Sequence, residues 1–138
     1  MNRSISLPRS TARPTGLVGV AALASLVAGA IHFAVVPEHL DEWPAAGIFF
    51  VVLGAFQAVW AVAYPRRARG WLAALGLIVN LATVALWTVS RTVGLPFAPE
   101  PWTPEAIGVL DVTASALEIV VVLALVAGAD RLASRRSR

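Results

Sequence analysis

The sequence predicts an all-α integral membrane protein, a four-helix antiparallel bundle with both termini cytoplasmic, and three observations carry that prediction. Apolar residues make up 58% of the 138 residues against 14% charged, with a mean hydropathy of +0.76, far from the average of soluble domains. The apolar residues fall into four segments, each close to the ~20 residues that cross a bilayer. Arginine, proline and tryptophan collect at the ends of those segments. Four spans use up most of residues 1–138, which read as one membrane domain without a separate soluble one.

The first span, 16–36, carries Ser25, Gly29 and His32 at the three-to-four-residue interval that keeps side chains on one helix face. Its basic start and the Ala28-Gly29-Ala30 run also fit a signal peptide. The apolar stretch, however, continues to Val36, well past the ~7 to 15 residues of a signal core. A retained helix is expected. The second span, 44–64, opens on Pro44 and places Gly47, Phe50, Gly54 and Gln57 on one face. The third, 70–90, offers Asn80, Trp87 and Arg91 with Thr83 or Thr88 beside them. The fourth, 105–129, carries Gly108, Asp111, Ser115 and Glu118 at intervals of 3, 4 and 3. All nine prolines are expected at or outside span ends, where proline starts or stops a helix. Trp43, Trp87 and Trp102 at one side, and Trp60 and Trp71 at the other with Tyr64, read as interfacial aromatic belts. The links, of about seven, five and fourteen residues, predict that consecutive helices run antiparallel and touch.

Orientation follows from arginine, since the chain has eleven and no lysine. Arg3, Arg9 and Arg13, then Arg66, Arg67 and Arg69, then Arg131, Arg135, Arg136 and Arg138 mark one side as cytoplasmic by the positive-inside rule. The first and third links, with Glu38, Asp41, Glu42, Glu100 and Glu105, face outward. The expected location is the cell (inner) membrane, and the expected surroundings are the lipid bilayer, membrane-complex subunits or further copies of the chain. Net charge +3 reflects these span-end arginines and not a nucleic-acid surface. The absence of cysteine removes disulfides, thiolate metal sites and thiol nucleophiles. No P-loop, dinucleotide fingerprint, nucleophile elbow or HExxH occurs, so these soluble-enzyme chemistries have no support.

Glu118 stands in the middle of an apolar run. An acid at membrane depth costs at least ~2.5 kcal/mol, so it faces a partner, a cavity or a ligand. At ~1.5 Å per residue it lies ~20 Å below the outer end of its span, level with Gln57 and, from the other end, Asn80. Asp111 at ~9 Å and His32 at ~6 Å, with Trp87 and Arg91, form a second layer near the outer surface. His32, Gln57, Asn80, Trp87, Arg91, Asp111 and Glu118 are therefore the candidate ligand- or proton-binding residues, with Arg91 the counter-ion of Asp111, Glu105 or the acidic first link. Glu118 has no basic partner at its own level in this layout. Glycine and serine in the stripes read first as helix packing, and Arg91 reads alternatively as a snorkelling interfacial side chain.

The first link sets acids beside histidines. If helical, it brings Glu38 and Glu42, or His39 and Glu42, to one face, and with His32 these are the candidate metal ligands. Haem lacks support, because both histidines lie at the outer edge with no deeper one to complete a pair. The third link holds Pro96, Pro99, Pro101 and Pro104 and is expected to be stiff; it reads first as a connector with Phe97 and Trp102 as interfacial anchors, and alternatively as a semi-rigid lid that sets them against the membrane surface or a ligand.

Gly29-Ala30-Ile31-His32-Phe33 followed by Pro37, glycines along the second span, and Pro65-Arg66-Arg67 before the third make the first three spans resemble the small four-helix DoxX-like membrane proteins. His32, Phe33 and Pro37 are the matching positions. The resemblance implies an accessory role in a quinone or sulfur electron-transfer complex. The expected function is binding of a small ligand, a quinone or a metal ion in a membrane redox or homeostasis system. Proton-coupled transport by an oligomer, using Asp111 and Glu118, and a purely structural subunit are the alternatives.

Overall fold

The computed structural model describes residues 15–136. Arg3, Arg9, Arg13 and Arg138, which the orientation argument uses, lie outside them. The described residues form four helices and no strand: α1 (Thr15–Glu42), α2 (Pro44–Arg67), α3 (Gly70–Thr92) and α4 (Val109–Arg136). Each is long and apolar enough to cross a membrane. The bundle buries polar side chains beside an apolar core and leaves its outer face apolar. Leu23, Val52, Val59, Ile78 and Leu123 are all more than 60% exposed, while Ser25, His32, Gln57, Asn80, Ser115 and Glu118 are buried. That inversion is what lipid, not water, favours on the outer face.

The helix ends correct the expected boundaries. α1 runs six residues past Val36, through Pro37, to Glu42, leaving Trp43 alone between α1 and α2. Proline removes one intrahelical N–H and disfavours a helix interior. Here the turn after Pro37 is held by other means: His39 Nδ1 donates to the carbonyl of Val35 at 2.9 Å, and the Trp43 N–H reaches the His39 carbonyl at 2.8 Å. Leu40 also fills the gap over Gly47, where an added Cβ would stand 2.4 Å from its side chain. Pro65 likewise lies inside the last turn of α2. The start of α4 moves the other way, from 105 to Val109. Gly108 is its N-cap, with its carbonyl taking the first helical bond from the Val112 N–H at 3.1 Å, while Asp111 reaches back to the Gly108 N–H at 3.1 Å. This is one arm of a capping box, which terminates a helix in that register.

Around the bundle α1 touches α2 and α4, and α3 touches α4. The remaining side departs from expectation, because α2 and α3 are joined by only Ala68 and Arg69 yet splay apart above their junction. They meet next to the arginine-rich link, through Trp60. Trp60 is 2% exposed, not an interfacial anchor. Its indole N–H donates to the Leu72 carbonyl at 2.8 Å, its ring stacks on Tyr64 at 4.7 Å, and Gly76 makes room for it, since a Cβ there would stand 2.4 Å from the ring. With Ala21, Ala24, Leu72, Val121, Ala124 and Leu125 it forms an apolar core beneath the buried polar residues. α1 and α2 cross at Gly29 and Gly54, where a Cβ on either would lie 3.0 Å from the other's carbonyl oxygen. Only glycine allows that approach.

Candidate functional site

A cavity of about 350 Å³ opens at the end of the bundle where α3 and α4 are linked. Aromatic and aliphatic side chains supply most of its wall: Trp43, Phe49 and Phe50 from the α1–α2 side, Leu86 and Trp87 from α3, and Leu95 and Phe97 from the link. Its polar groups sit at two levels.

The floor is a hydrogen-bonded chain across three helices. His32 on α1 and Gln57 on α2 meet at 2.8 Å between Nδ1 and Oε1, and the Gln57 Nε2 donates to Glu118 Oε1 on α4 at 2.9 Å. An amide oxygen only accepts, so His32 carries a proton on Nδ1 in this arrangement, and its other ring nitrogen is Nε2. That nitrogen stands 3.9 Å from Glu118 Oε1. The His32 ring also stacks on Phe50 at 5.4 Å, and Ser25 donates to the Gln57 backbone carbonyl at 3.1 Å, which ties the middle member to α1 a second time. Glu118 is 1% exposed, and Gln57 is wholly buried. A buried side-chain amide needs both ends satisfied, and Gln57 achieves this by bridging a histidine and a carboxyl.

The upper level is an ion-pair bracket. Arg91 on α3 donates through Nη2 to Asp111 Oδ2 at 2.7 Å and through Nη1 to Glu105 Oε2. Asp111 thereby joins α3 to α4 while capping α4. Glu105 is held a second time, through its backbone N–H to the Ser90 carbonyl at 3.0 Å. The link is thus anchored at both ends: Gly94, at φ +79°, sits so close to Thr103 that a Cβ would stand 2.4 Å from its backbone. Phe97 reaches Trp43 at 6.0 Å over the mouth, whereas Trp102 is 62% exposed and takes no part in the cavity wall.

The two-layer expectation changes in three places. His32 belongs to the lower layer, because α1 continues ten residues beyond it and so sets it ~15 Å below the helix end. Glu118 accordingly has a basic neighbour at its own level. Asn80 is buried but turns back on α3, with Nδ2 donating to the Gly76 carbonyl at 2.7 Å, and it does not join the chain. The metal grouping of His32, Glu38, His39 and Glu42 does not assemble: among the described residues, no three His, Asp or Glu side chains converge as metal ligands. His39 instead uses Nδ1 on its own helix and sets its ring edge-on to Phe50 at 4.5 Å. Phe50 is the site residue whose role is seen only in the fold, since it contacts both histidines. Its place on the Gly47–Gln57 stripe is the signal that marks it.

Among the described residues, three buried polar side-chain atoms lack a hydrogen-bond partner: Trp87 Nε1, Arg91 Nε and Asn80 Oδ1. Two of these three residues, Trp87 and Arg91, line the cavity. An unsatisfied buried donor carries a penalty of ~1–3 kcal/mol and is the usual mark of a position completed by something else.

Arg91→Met should release the link. Asp111 and Glu105 would each lose their counter-ion, a loss on the order of 1–2 kcal/mol because Glu105 is partly solvated. Hydrogen exchange should quicken across residues 95–105 with the four helices still protected. Unchanged exchange in that segment would mean that the bracket does not hold it.

Compared with known proteins, the chain matches no family model, no curated protein and no solved structure.

Proposed function

We propose that this chain is a four-span membrane protein that binds a small carbonyl-bearing ring, of the quinone class, in the cavity between its helices. The observation that carries the reading is an aromatic-walled cavity lined by Trp87, whose buried indole N–H has no partner, above a His32–Gln57–Glu118 floor. A flat ring would lie against Phe50, Trp87 and Phe97 and accept a hydrogen bond at each end, from Trp87 Nε1 on one side and from the Glu118 carboxyl, in its protonated form, on the other. The volume is at the small end of ligand pockets, ~300–1,000 Å³. The site faces outward, with Arg66, Arg67 and Arg69 on the cytoplasmic side by the positive-inside rule and both termini cytoplasmic. In this reading the chain serves as an accessory subunit of a membrane redox system, as its DoxX-like resemblance also implies.

Proton-coupled transport has less support. Beneath Glu118 the next buried residues are the apolar Ala21, Ala24, Val121 and Leu125, which offer a proton no relay group. A lipophilic cation is the second reading. Three carboxylates, Glu105, Asp111 and Glu118, stand around the cavity against the one guanidinium of Arg91, and aromatic faces attract cations. The Trp87 N–H, a donor, favours the carbonyl.

The test is a titration of purified protein in nanodiscs with a tailless benzoquinone or naphthoquinone, followed by tryptophan fluorescence quenching, alongside tetraphenylphosphonium. Saturable quenching by the quinone is expected. Trp87→Phe should weaken it about tenfold, the worth of one hydrogen bond of ~1.4 kcal/mol. The fold should survive, because that N–H bonds nothing in the protein. No saturable quinone binding would overturn the reading.

A further inference from the structure

We infer that the ligand is a tailed amphiphile whose head occupies the cavity and whose apolar tail leaves sideways through the gap between α2 and α3, so that the site loads from the bilayer. This rests on the quinone reading above and adds to it the tail and the route. A second hollow, of about 380 Å³, runs along the splayed faces of α2 and α3, and Phe49, Thr83 and Leu86 line both it and the cavity. The two spaces are adjoining compartments with a common wall of three side chains.

The chemistry of that hollow is the opposite of the cavity's. Apart from Thr83, whose hydroxyl donates to the Val79 carbonyl on its own helix at 2.9 Å, it is lined by hydrocarbon alone, including Val52, Phe56, Ile78 and Ala82. Val52 and Ile78 are each 63% exposed, so the hollow faces the surroundings of the bundle and not its axis. In a four-span membrane protein those surroundings are acyl chains.

Size favours the division, because a cavity of about 350 Å³ is at the small end of ligand pockets and suits a ring better than a ring with a long chain. At the outer mouth Phe97 lies against Trp43, and the link is pinned through Arg91–Glu105 and the Glu105–Ser90 backbone bond. Among the described residues, no side-chain hydrogen bond joins α2 to α3 above Trp60–Leu72. Charge selects the head. Arg91 is already matched by Asp111 and Glu105, and Glu118 adds a further acid, so the site repels the phosphate of a phospholipid and takes a neutral carbonyl head on an isoprenoid or alkyl tail.

The experiment uses the full chain in nanodiscs with two probes: a tailless quinone, read by fluorescence quenching, and a quinone whose alkyl tail carries a photoactivatable diazirine, read by mass spectrometry of the labelled peptides. The expected labels fall on Val52–Phe56 of α2 and Ile78–Ala82 of α3 and fade at least several-fold when excess tailless quinone competes. Val52→Phe together with Ala82→Phe should remove them while leaving tailless-quinone quenching unchanged. Ile78→Phe serves as a second plug if the double variant does not fold. Quenching by the tailless quinone combined with labels spread over Leu23, Val59 and Leu123, or with labels that no competitor displaces, overturns the tail and route and leaves the quinone site standing. No quenching by the tailless quinone overturns both.

Discussion

Glu118→Ala is expected to unfold the floor of the cavity. The substitution removes the acceptor of Gln57 Nε2 and the carboxyl 3.9 Å from His32 Nε2, at a position only 1% exposed where no water replaces them. A stranded buried amide costs ~1–3 kcal/mol in water-soluble proteins, whereas interhelical hydrogen bonds in membranes average only ~0.6 kcal/mol because the unfolded helices find other partners. The floor lies between these cases. Gln57 is held by Ser25 at its backbone and by His32 at its Oε1, so it is not free to turn to another acceptor, and a loss of about 1–2 kcal/mol is expected. Thermal denaturation in detergent measures it. Glu118→Gln should recover most of that loss, since its own Oε1 accepts from Gln57 as the carboxyl does.

The same pair of variants separates the two ligand readings. A quinone needs a hydrogen-bonding floor, which glutamine still supplies, so its affinity should stay within about threefold in Glu118→Gln and fall tenfold or more in Glu118→Ala. A lipophilic cation needs the negative charge and should be lost in both. Equal stability and equal binding across wild type, Ala and Gln would show that Glu118 is a passenger in an apolar helix.

Gly29→Leu should be the most disruptive single change on α1. A Cβ there stands 3.0 Å from the Gly54 carbonyl oxygen and 3.2 Å from Gln57 Cβ. Backbone cannot move aside as a side-chain tip can, so α1 and α2 must separate. Overpacking of this kind costs ~1–3 kcal/mol, and the consequence extends to the site because His32 and Gln57 each lie one turn beyond the clashing glycines. Their 2.8 Å contact is the first polar link to be stretched. Gly19→Leu, on the same helix with no atom within 4 Å of an added Cβ, is the control, expected to leave melting temperature and quinone binding unchanged. If the two leucine variants behave alike, the close crossing has no part in holding the site.

How the bundle and its site were legible differs residue by residue. Four apolar runs, each with its small and polar residues on one face, were sufficient to predict four helices and to single out His32, Gln57, Trp87, Arg91, Asp111 and Glu118, all of which line the cavity or its floor. This works because lipid excludes hydrogen-bonding groups from the outer face, so a polar side chain in mid-span has to turn inward. Asn80 obeys the same rule and is buried, yet it bonds its own helix. Inwardness is a property of one helix, whereas partnership depends on a second.

Proline and tryptophan misled for a related reason. Pro37 and Pro65 mark span ends by composition, but local contacts carry the helix past both. Trp60 has the position of an interfacial anchor, but Gly76 on the facing helix opens a slot that its indole fills. The signal was present only as a pair of residues on different helices. The position of His32 shifted by a layer because the length of α1 depended on contacts that Leu40 and His39 make with α2.

From sequence alone follow the class, the four apolar helices, the inward stripes and the identity of the polar side chains, because these depend on one residue at a time set against lipid or water. The tertiary structure alone decided that His32, Gln57 and Glu118 form one chain, that Arg91 takes both of its candidate partners Asp111 and Glu105 at once, and that α2 and α3 part to leave an apolar gap beside the cavity. Those are relations between helices. They depend on ångström-scale approach at Gly29, Gly54 and Gly76, which periodicity along a single chain does not encode.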